Sequence, residues 1–165
     1  MKVERVLPRR TALSRPDPHN PRIERVIAAN IDVVVVVVSV KSPPLKSGLI
    51  DRYLVAIERS GAEPLLCVNK VDLGDCPEVA PYRELGIPIV LCSAATGVGI
   101  DRLANELAGK TCVFTGHSGV GKSSLLNALA PGLDQATGDV SEVHNKGGIP
   151  LRRHRCTSFR TAPSS

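Results

Sequence analysis

Residues 111–124 read Thr111-Cys112-Val113-Phe114-Thr115-Gly116-His117-Ser118-Gly119-Val120-Gly121-Lys122-Ser123-Ser124. The first five form an apolar run of strand type, and Gly116 to Ser123 complete the pattern G-x-x-x-x-G-K-[ST]. Leu125, Leu126 and Leu129 then recur at helical spacing across 121–130. A strand, a glycine-rich turn and a helix in that order make a phosphate-binding loop. The backbone N–H groups of Gly116, His117, Ser118, Gly119, Val120 and Gly121 curl around phosphate oxygens at a positive helix end. Lys122 reaches the β and γ phosphates, the Ser123 hydroxyl faces a magnesium ion, and Ser124 stands beside it. The loop specifies a nucleoside triphosphate but not its base.

Upstream of this loop, Ile31 to Val40 holds six consecutive valines, β-branched and apolar on both faces, as in a strand buried on both sides of a parallel sheet. Shorter runs of the same kind lie at 64–68 and 87–92. Helical periodicity separates them: Leu49, Ile50, Tyr53, Leu54 and Ile57 in 47–60, a weaker pattern at 78–85, and Ile100, Leu103, Ala104 and Leu107 in 98–109. Alternating strands and helices predict an α/β fold, a three-layer sandwich with parallel strands and ligands at their carboxyl ends. Pro8, Pro16, Pro18 and Pro21 forbid a regular helix or central strand in the opening segment.

Two further turns occupy such carboxyl ends. Asn69-Lys70-Val71-Asp72 follows the strand at 64–68, where the Asp72 carboxylate can accept from the ring N–H and exocyclic amine of guanine, a pair adenine does not offer. Asn69 braces neighbouring loops in this reading, and the stem of Lys70 covers the base. Ser93-Ala94 follows the strand at 87–92, where the Ala94 N–H can donate to the guanine carbonyl. Each turn alone is a weak signal, with a solvated charged turn as the default. Three turns at three strand ends agreeing on one ligand are a strong one.

The chain has 165 residues, 42% of them hydrophobic, and a formal net charge of +5. The excess charge sits in residues 146–165, which hold Lys146, Arg152, Arg153, Arg155 and Arg160 and no acid; the first 25 residues carry seven Lys and Arg against three acids. The centre is mildly acidic, as suits a small-molecule domain with basic ends rather than a whole face for RNA. No segment is long and apolar enough to span a bilayer, and Met1 to Arg5 has no signal-peptide character, so a cytoplasmic protein without membrane contact is expected. The cysteines (Cys67, Cys76, Cys92, Cys112, Cys156) form no C-x-x-C pair and read as reduced thiols, four of them in or beside apolar runs. His19, His144 and His154 read as solvated or local-structure residues.

The base-reading turns precede the phosphate loop, the reverse of ordinary small GTPases, as a circular permutation allows. The sequence resembles the circularly permuted GTPases and, within them, the ribosome small-subunit-dependent GTPase A (RsgA-type) family. The residues that carry the resemblance are Leu7-Pro8-Arg9-Arg10, Ser14 to Pro21, Ala28-Ala29-Asn30-Ile31-Asp32, Gly48 to Leu54, the Asn-Lys-x-Asp turn, and the phosphate loop continued to Asn127. The match runs from about residue 5 to about 147. It implies a P-loop NTPase sandwich with a permuted, incomplete parallel sheet, binding GTP or GDP with Mg2+. It also implies GTP hydrolysis during maturation of the small ribosomal subunit, with that subunit and its rRNA as partners. Family members carry an OB-fold before this domain and a cysteine/histidine zinc domain after it; neither is expected here.

The expected organisation is residues 1–25 as a basic, Pro-rich remnant of the OB-fold and its linker, 26–147 as the GTPase domain, and 148–165 as a disordered basic tail outside the family pattern. After Val140 to Gly147, the family continues into a threonine-rich switch and an Asp-Thr-Pro-Gly turn, whereas this chain reads Gly148-Ile149-Pro150-Leu151-Arg152-Arg153-His154-Arg155. Codon arithmetic permits the family sequence in another frame from Gly147, so loss of one base is the expected origin of the tail. Three expectations follow: the strand at 111–115 is left as an exposed edge, binding survives better than hydrolysis, and no catalytic residue is assigned. His117 is a candidate near the γ phosphate, with loop filling as its alternative. A non-catalytic GTP-binding module or pseudoenzyme is the competing reading, and a P-loop small-molecule kinase a third.

Overall fold

The computed structural model describes residues 8–129, except Pro18 and Pro21, and the strand Cys156–Ser158. Strand β3 (Val33–Ser39) is buried at every residue: helices cover both its faces, and parallel strands flank it, β4 (Glu63–Asn69) along its whole length and β6 (Thr111–Thr115) along Val33 to Val36. Successive side chains point to opposite faces, so the valine run splits between two cores. Val34, Val36 and Val38 join Leu66, Val68 and Val113 under α1 (Ser47–Ser60), which contributes Ile50, Tyr53 and Ile57. Val33, Val35 and Val37 join Leu65, Cys67, Cys112 and Phe114 under α3 (Ile100–Leu107) and α4 (Lys122–Leu129), through Leu103, Leu107 and Leu125. The architecture is a three-layer α/β sandwich.

The sheet order is β5-β4-β3-β6-β7, with β5 (Ile89–Leu91) at one edge and β7 (Cys156–Ser158) at the other. Strand β7 pairs antiparallel to β6, which corrects two expectations. The strand at 111–115 is covered on its outer side from Thr111 to Val113, and residues 156–158 of the segment expected to be a disordered tail form the strand that covers it. The rest of 148–165 and the Val140 to Gly147 stretch, with His144 and His154, lie outside the described residues. Strand β5 is shorter than the apolar run at 87–92: Pro88 offers no N–H, and Leu66 donates to its carbonyl from the side. The weak helix at 78–85 resolves into a 3-10 turn, Pro77–Val79, and a short α2, Ala80–Glu84, held to α1 by the Tyr82 hydroxyl, which donates to Asp51 Oδ1 at 2.8 Å. Burial, then this carboxylate, pushes the Tyr82 phenol up to about 12.

The Pro-rich opening forms an antiparallel ribbon, β1 (Ala12–Pro16) and β2 (Glu24–Ala29), separate from the main sheet. Strand β2 crosses the boundary expected at residue 25. The ribbon belongs to the sandwich through Leu13, buried in the α1 core, and Thr11, whose hydroxyl donates to the Ile31 carbonyl and accepts from the Ile31 N–H, both at 2.7 Å. Sequence periodicity could not find β2, because its exposure changes along its length, exposed over Glu24–Val26 and half-buried over Ile27–Ala29, and does not alternate between faces. Its turn is organised by Asp17, which accepts from the His19 and Asn20 N–H groups at 2.7 and 3.2 Å and pairs with Arg25. The His19 N–H chiefly, with Arg25, holds the Asp17 carboxyl below its ordinary 3.8 despite burial.

Leu103→Ala removes a fully buried side chain between α3 and the sheet and is expected to cost about 2–5 kcal/mol in denaturant unfolding. Val55→Ala, at a position 52% exposed on α1, should stay within about 0.5 kcal/mol. Because the Asp17 pKa is lowered by folding, its contribution is complete well above 3.8 and disappears as pH falls through the lower folded-state value. The stability difference between the wild-type chain and Asp17→Asn, followed from neutral pH to about pH 2, should therefore close at the acid end.

Candidate functional site

The phosphate-loop residues Gly116 to Lys122 pass from the carboxyl end of β6 into α4, above the sheet. Two glycines make the path sterically feasible. Gly116 (φ +147°) lies so close to the Val37 carbonyl that a Cβ would collide with it, and a Cβ on Gly121 (φ +93°) would strike Asn69 Nδ2. Val120 is the loop's anchor, buried in the α3/α4 core, while His117, Ser118 and Gly119 are exposed above it. The Lys122 ammonium folds over the loop and donates to the Gly116 and His117 carbonyls, each at 2.8 Å. Burial lowers its pKa below the ordinary lysine value. Ser123 and Ser124 are exposed on the first turn of α4.

Asn69, the last residue of β4, is 2% exposed, and both ends of its carboxamide are used. Nδ2 donates to the Val120 carbonyl at 2.9 Å, and Oδ1 accepts from the Ala94 N–H at 3.1 Å. Lys70 adopts a left-handed backbone (φ 63°) that aims its side chain back over the sheet end, where Nζ donates to the Gly119 carbonyl at 2.8 Å and to that of Ser42. The buried Ser93 hydroxyl donates to Asp72 Oδ1, while the rest of Asp72 faces solvent. The three turns singled out in the sequence therefore meet at one end of the sheet, joined by side chains. The Ala94 N–H, assigned above to a base carbonyl, here donates to Asn69.

Sequence reasoning missed the loop at 41–46. Pro43 lies against Gly119, within 3.5 Å of where its Cβ would stand, and the Pro43 carbonyl accepts from the Ser39 hydroxyl at 2.7 Å. The signal was present as Ser42-Pro43-Pro44, a rigid turn directly after the central strand. This loop and α1 wall a pocket of about 490 Å³ floored by Val37, Val38 and Val120, with Lys46, Arg52 and His117 supplying its basic groups. His117 lies on this side of the phosphate loop. Among the described residues, no three His, Cys, Asp or Glu side chains cluster in a way that could hold a metal ion, and no helix is long and apolar enough to cross a membrane.

With this geometry in place, comparison with known proteins is decisive: the family model described as RsgA GTPase matches residues 6–161. The chain belongs to the RsgA GTPase family. It is 45% identical over 148 residues to the small ribosomal subunit biogenesis GTPase RsgA of Pseudomonas aeruginosa, covering 86% of this chain and 43% of that protein. It is 45% identical over 165 residues to RsgA 1 of Vibrio vulnificus, covering 96% of this chain and 45% of that protein. The chain thus spans less than half the length of these relatives. Among solved structures it is similar to YjeQ from Thermotoga maritima, with a TM-score of 0.63 and 42% identity over 79% of this chain and 45% of that one. It is also similar to YloQ, a circularly permuted GTPase, with a TM-score of 0.59 and 31% identity over 77% of this chain and 44% of that one. The RsgA-type match continues beyond Gly147, where the sequence resemblance was expected to stop.

In this RsgA-type site, Asn69→Ala leaves the Val120 carbonyl and the Ala94 N–H without their partner and is expected to lower stability by about 1–3 kcal/mol in denaturant unfolding. Gly121→Ala, strained at its φ and driven against Asn69, should destabilise as well, whereas Ser124→Ala at an exposed position should be nearly neutral.

Proposed function

We propose that this chain is the guanine-nucleotide-binding part of a GTPase that acts in small ribosomal subunit biogenesis. The observation that carries the reading is the convergence of the Asn69–Asp72, Ser93-Ala94 and Gly116–Ser123 turns at one sheet end, cross-linked by Asn69. In this reading the loop N–H groups and Lys122 hold the phosphates, Lys122 leaving its two carbonyls for the anion. Asp72, held in place by Ser93, accepts the two guanine donors with its exposed edge, and the Lys70 stem lies over the base. The relatives named for small ribosomal subunit biogenesis support that subunit as a partner, and its rRNA is proposed with it.

Magnesium fits the same loop. Such an ion keeps several waters and takes phosphate oxygens, and the exposed Ser123 hydroxyl at the start of α4 is the protein oxygen this loop would offer it. When bound, the ion offsets phosphate charge. These 165 residues contain no Asp-Thr-Pro-Gly sequence, so by themselves they are proposed to bind GTP and to turn it over slowly.

Equilibrium binding with a fluorescent guanine nucleotide tests the reading. GTP should displace the probe and ATP should not, and Asp72→Asn should weaken GTP by about 10- to 100-fold while improving binding of the xanthine nucleotide, whose extra carbonyl accepts from the new amide. Lys122→Ala should weaken the triphosphate most. Equal competition by ATP overturns the base assignment, and rapid phosphate release on adding small subunits overturns the slow-turnover assignment.

A further inference from the structure

Two thiols that nucleotide binding does not use lie directly behind the base-reading turns. Cys67 stands two residues before Asn69 on β4, and Cys92 one residue before Ser93 at the end of β5. Both are fully buried in the core under α3, on one face of the sheet, and their sulfurs are 3.2 Å apart. The β4–β5 register pairs Cys67 with Val90, so Cys92 is its diagonal neighbour. The backbones around them are already joined, the Cys92 N–H donating to the Val68 carbonyl at 2.8 Å and the Val71 N–H to the Cys92 carbonyl at 3.3 Å.

We propose that Cys67 and Cys92 are an oxidative modification site, converted by a peroxide into an intramolecular disulfide that displaces the guanine-reading turns. A disulfide needs the sulfurs at about 2.05 Å, so they must close by roughly 1.1 Å. That movement draws Val68-Asn69 toward Cys92-Ser93, where Asn69 Oδ1 accepts from Ala94 and Ser93 orients Asp72. The pair is chemically asymmetric. The contact with Cys67 lowers the Cys92 thiol below its ordinary pKa, and the same contact with burial drives Cys67 well above its own. Cys92 is therefore the sulfur that attacks, after losing its proton. Its sulfur takes one peroxide oxygen as the O–O bond breaks, giving a sulfenic acid and hydroxide, which leaves as water with the proton from Cys92. The Cys67 sulfur then attacks the sulfenic sulfur, the S–O bond breaks, and the departing hydroxide takes the Cys67 proton, so that two thiols and one peroxide become one disulfide and two waters.

Access comes from the turns themselves. The pair lies toward the carboxyl end of the sheet, where the chain on either side runs into Val71–Leu73 and the turn at 93–97, surface segments whose opening costs less than global unfolding. A guanine nucleotide holding those turns closed slows the oxidation. This ligand dependence rests on the nucleotide reading above, whereas the disulfide does not.

The test treats the full chain with hydrogen peroxide and maps non-reduced peptides by mass spectrometry. The expected result is a Cys67–Cys92 linked peptide, restored to thiols by dithiothreitol and formed several-fold more slowly with GDP bound. The oxidised chain should bind guanine nucleotide about tenfold more weakly. Cys76→Ser should leave the bridge intact, and Cys92→Ala should keep its nucleotide affinity through the same treatment. If Cys92→Ala fails to fold, the wild-type peptide map still decides. Both thiols remaining alkylatable after peroxide, or a bridge to Cys76 or Cys156 in their place, overturns the proposal. A mapped Cys67–Cys92 bridge in a chain that binds no guanine nucleotide upholds the site and overturns the nucleotide reading instead.

Discussion

The carboxamide of Asn69 is the joint on which the functional end of this protein depends. It spans 51 residues forward to the Val120 carbonyl and 25 to the Ala94 N–H. A buried amide with both ends satisfied stabilises its surroundings, and the same amide with one end unpaired costs more than the bond was worth. The Asn69 joint therefore ties the phosphate loop and the two base-reading turns into one body. Gly121 is its steric counterpart, since any side chain there would occupy the space of the Asn69 amide.

Asn69 reaches Val120 across the end of the central strand because of how that strand finishes. Pairing between β3 and β6 stops at Val36 and Thr115, the loop at Gly116 leans over the Val37 carbonyl, and Ser39 ends the valine run with a small side chain whose hydroxyl turns back to Pro43. The central strand thus has two functions. Its alternating valines divide the interior between α1 on one side and α3 with α4 on the other, and its small, hydroxylated terminus leaves room for strand ends on either side to meet. Lys70 adds a second tie, linking Gly119 to the Ser42 loop, so the Pro43-Pro44 turn belongs to the phosphate site although it lies far from every recognised motif in sequence.

The elements most legible in the sequence were those whose burial imposes a period. Helix α1 occupies 47–60 as its apolar spacing predicts, and the strand at 111–115 coincides with its apolar run. Strand β2 was illegible because neither face of Glu24–Ala29 enters a deep core, and β5 is shorter than its apolar run because Pro88 offers the ladder no N–H. Strand β7 was missed for another reason. Residues 156–158 carry no alternation, and their pairing is dictated by the open edge of β6, a long-range fact. Within the site, the glycine-rich loop was readable from spacing, since its chemistry is backbone chemistry over consecutive residues. The contributions of Ser42, Pro43 and Arg52 were not, because their proximity to that loop is set by the sheet.

The sequence by itself determined which residues are apolar at which period, where the glycines permit a phosphate-cradling turn, and that Asn69-Lys70-Val71-Asp72 and Ser93-Ala94 close their strands. From those follow the α/β class and the expectation of a guanine nucleotide. Only the tertiary structure decided that the Cys67 and Cys92 sulfurs touch, that the Ala94 N–H is held by Asn69, and that β6 is covered on both edges. The physical reason is separation. Local patterns report the burial of one element, whereas contacts between strand ends depend on sheet order and register, which permuted connections leave unchanged and linear spacing does not encode.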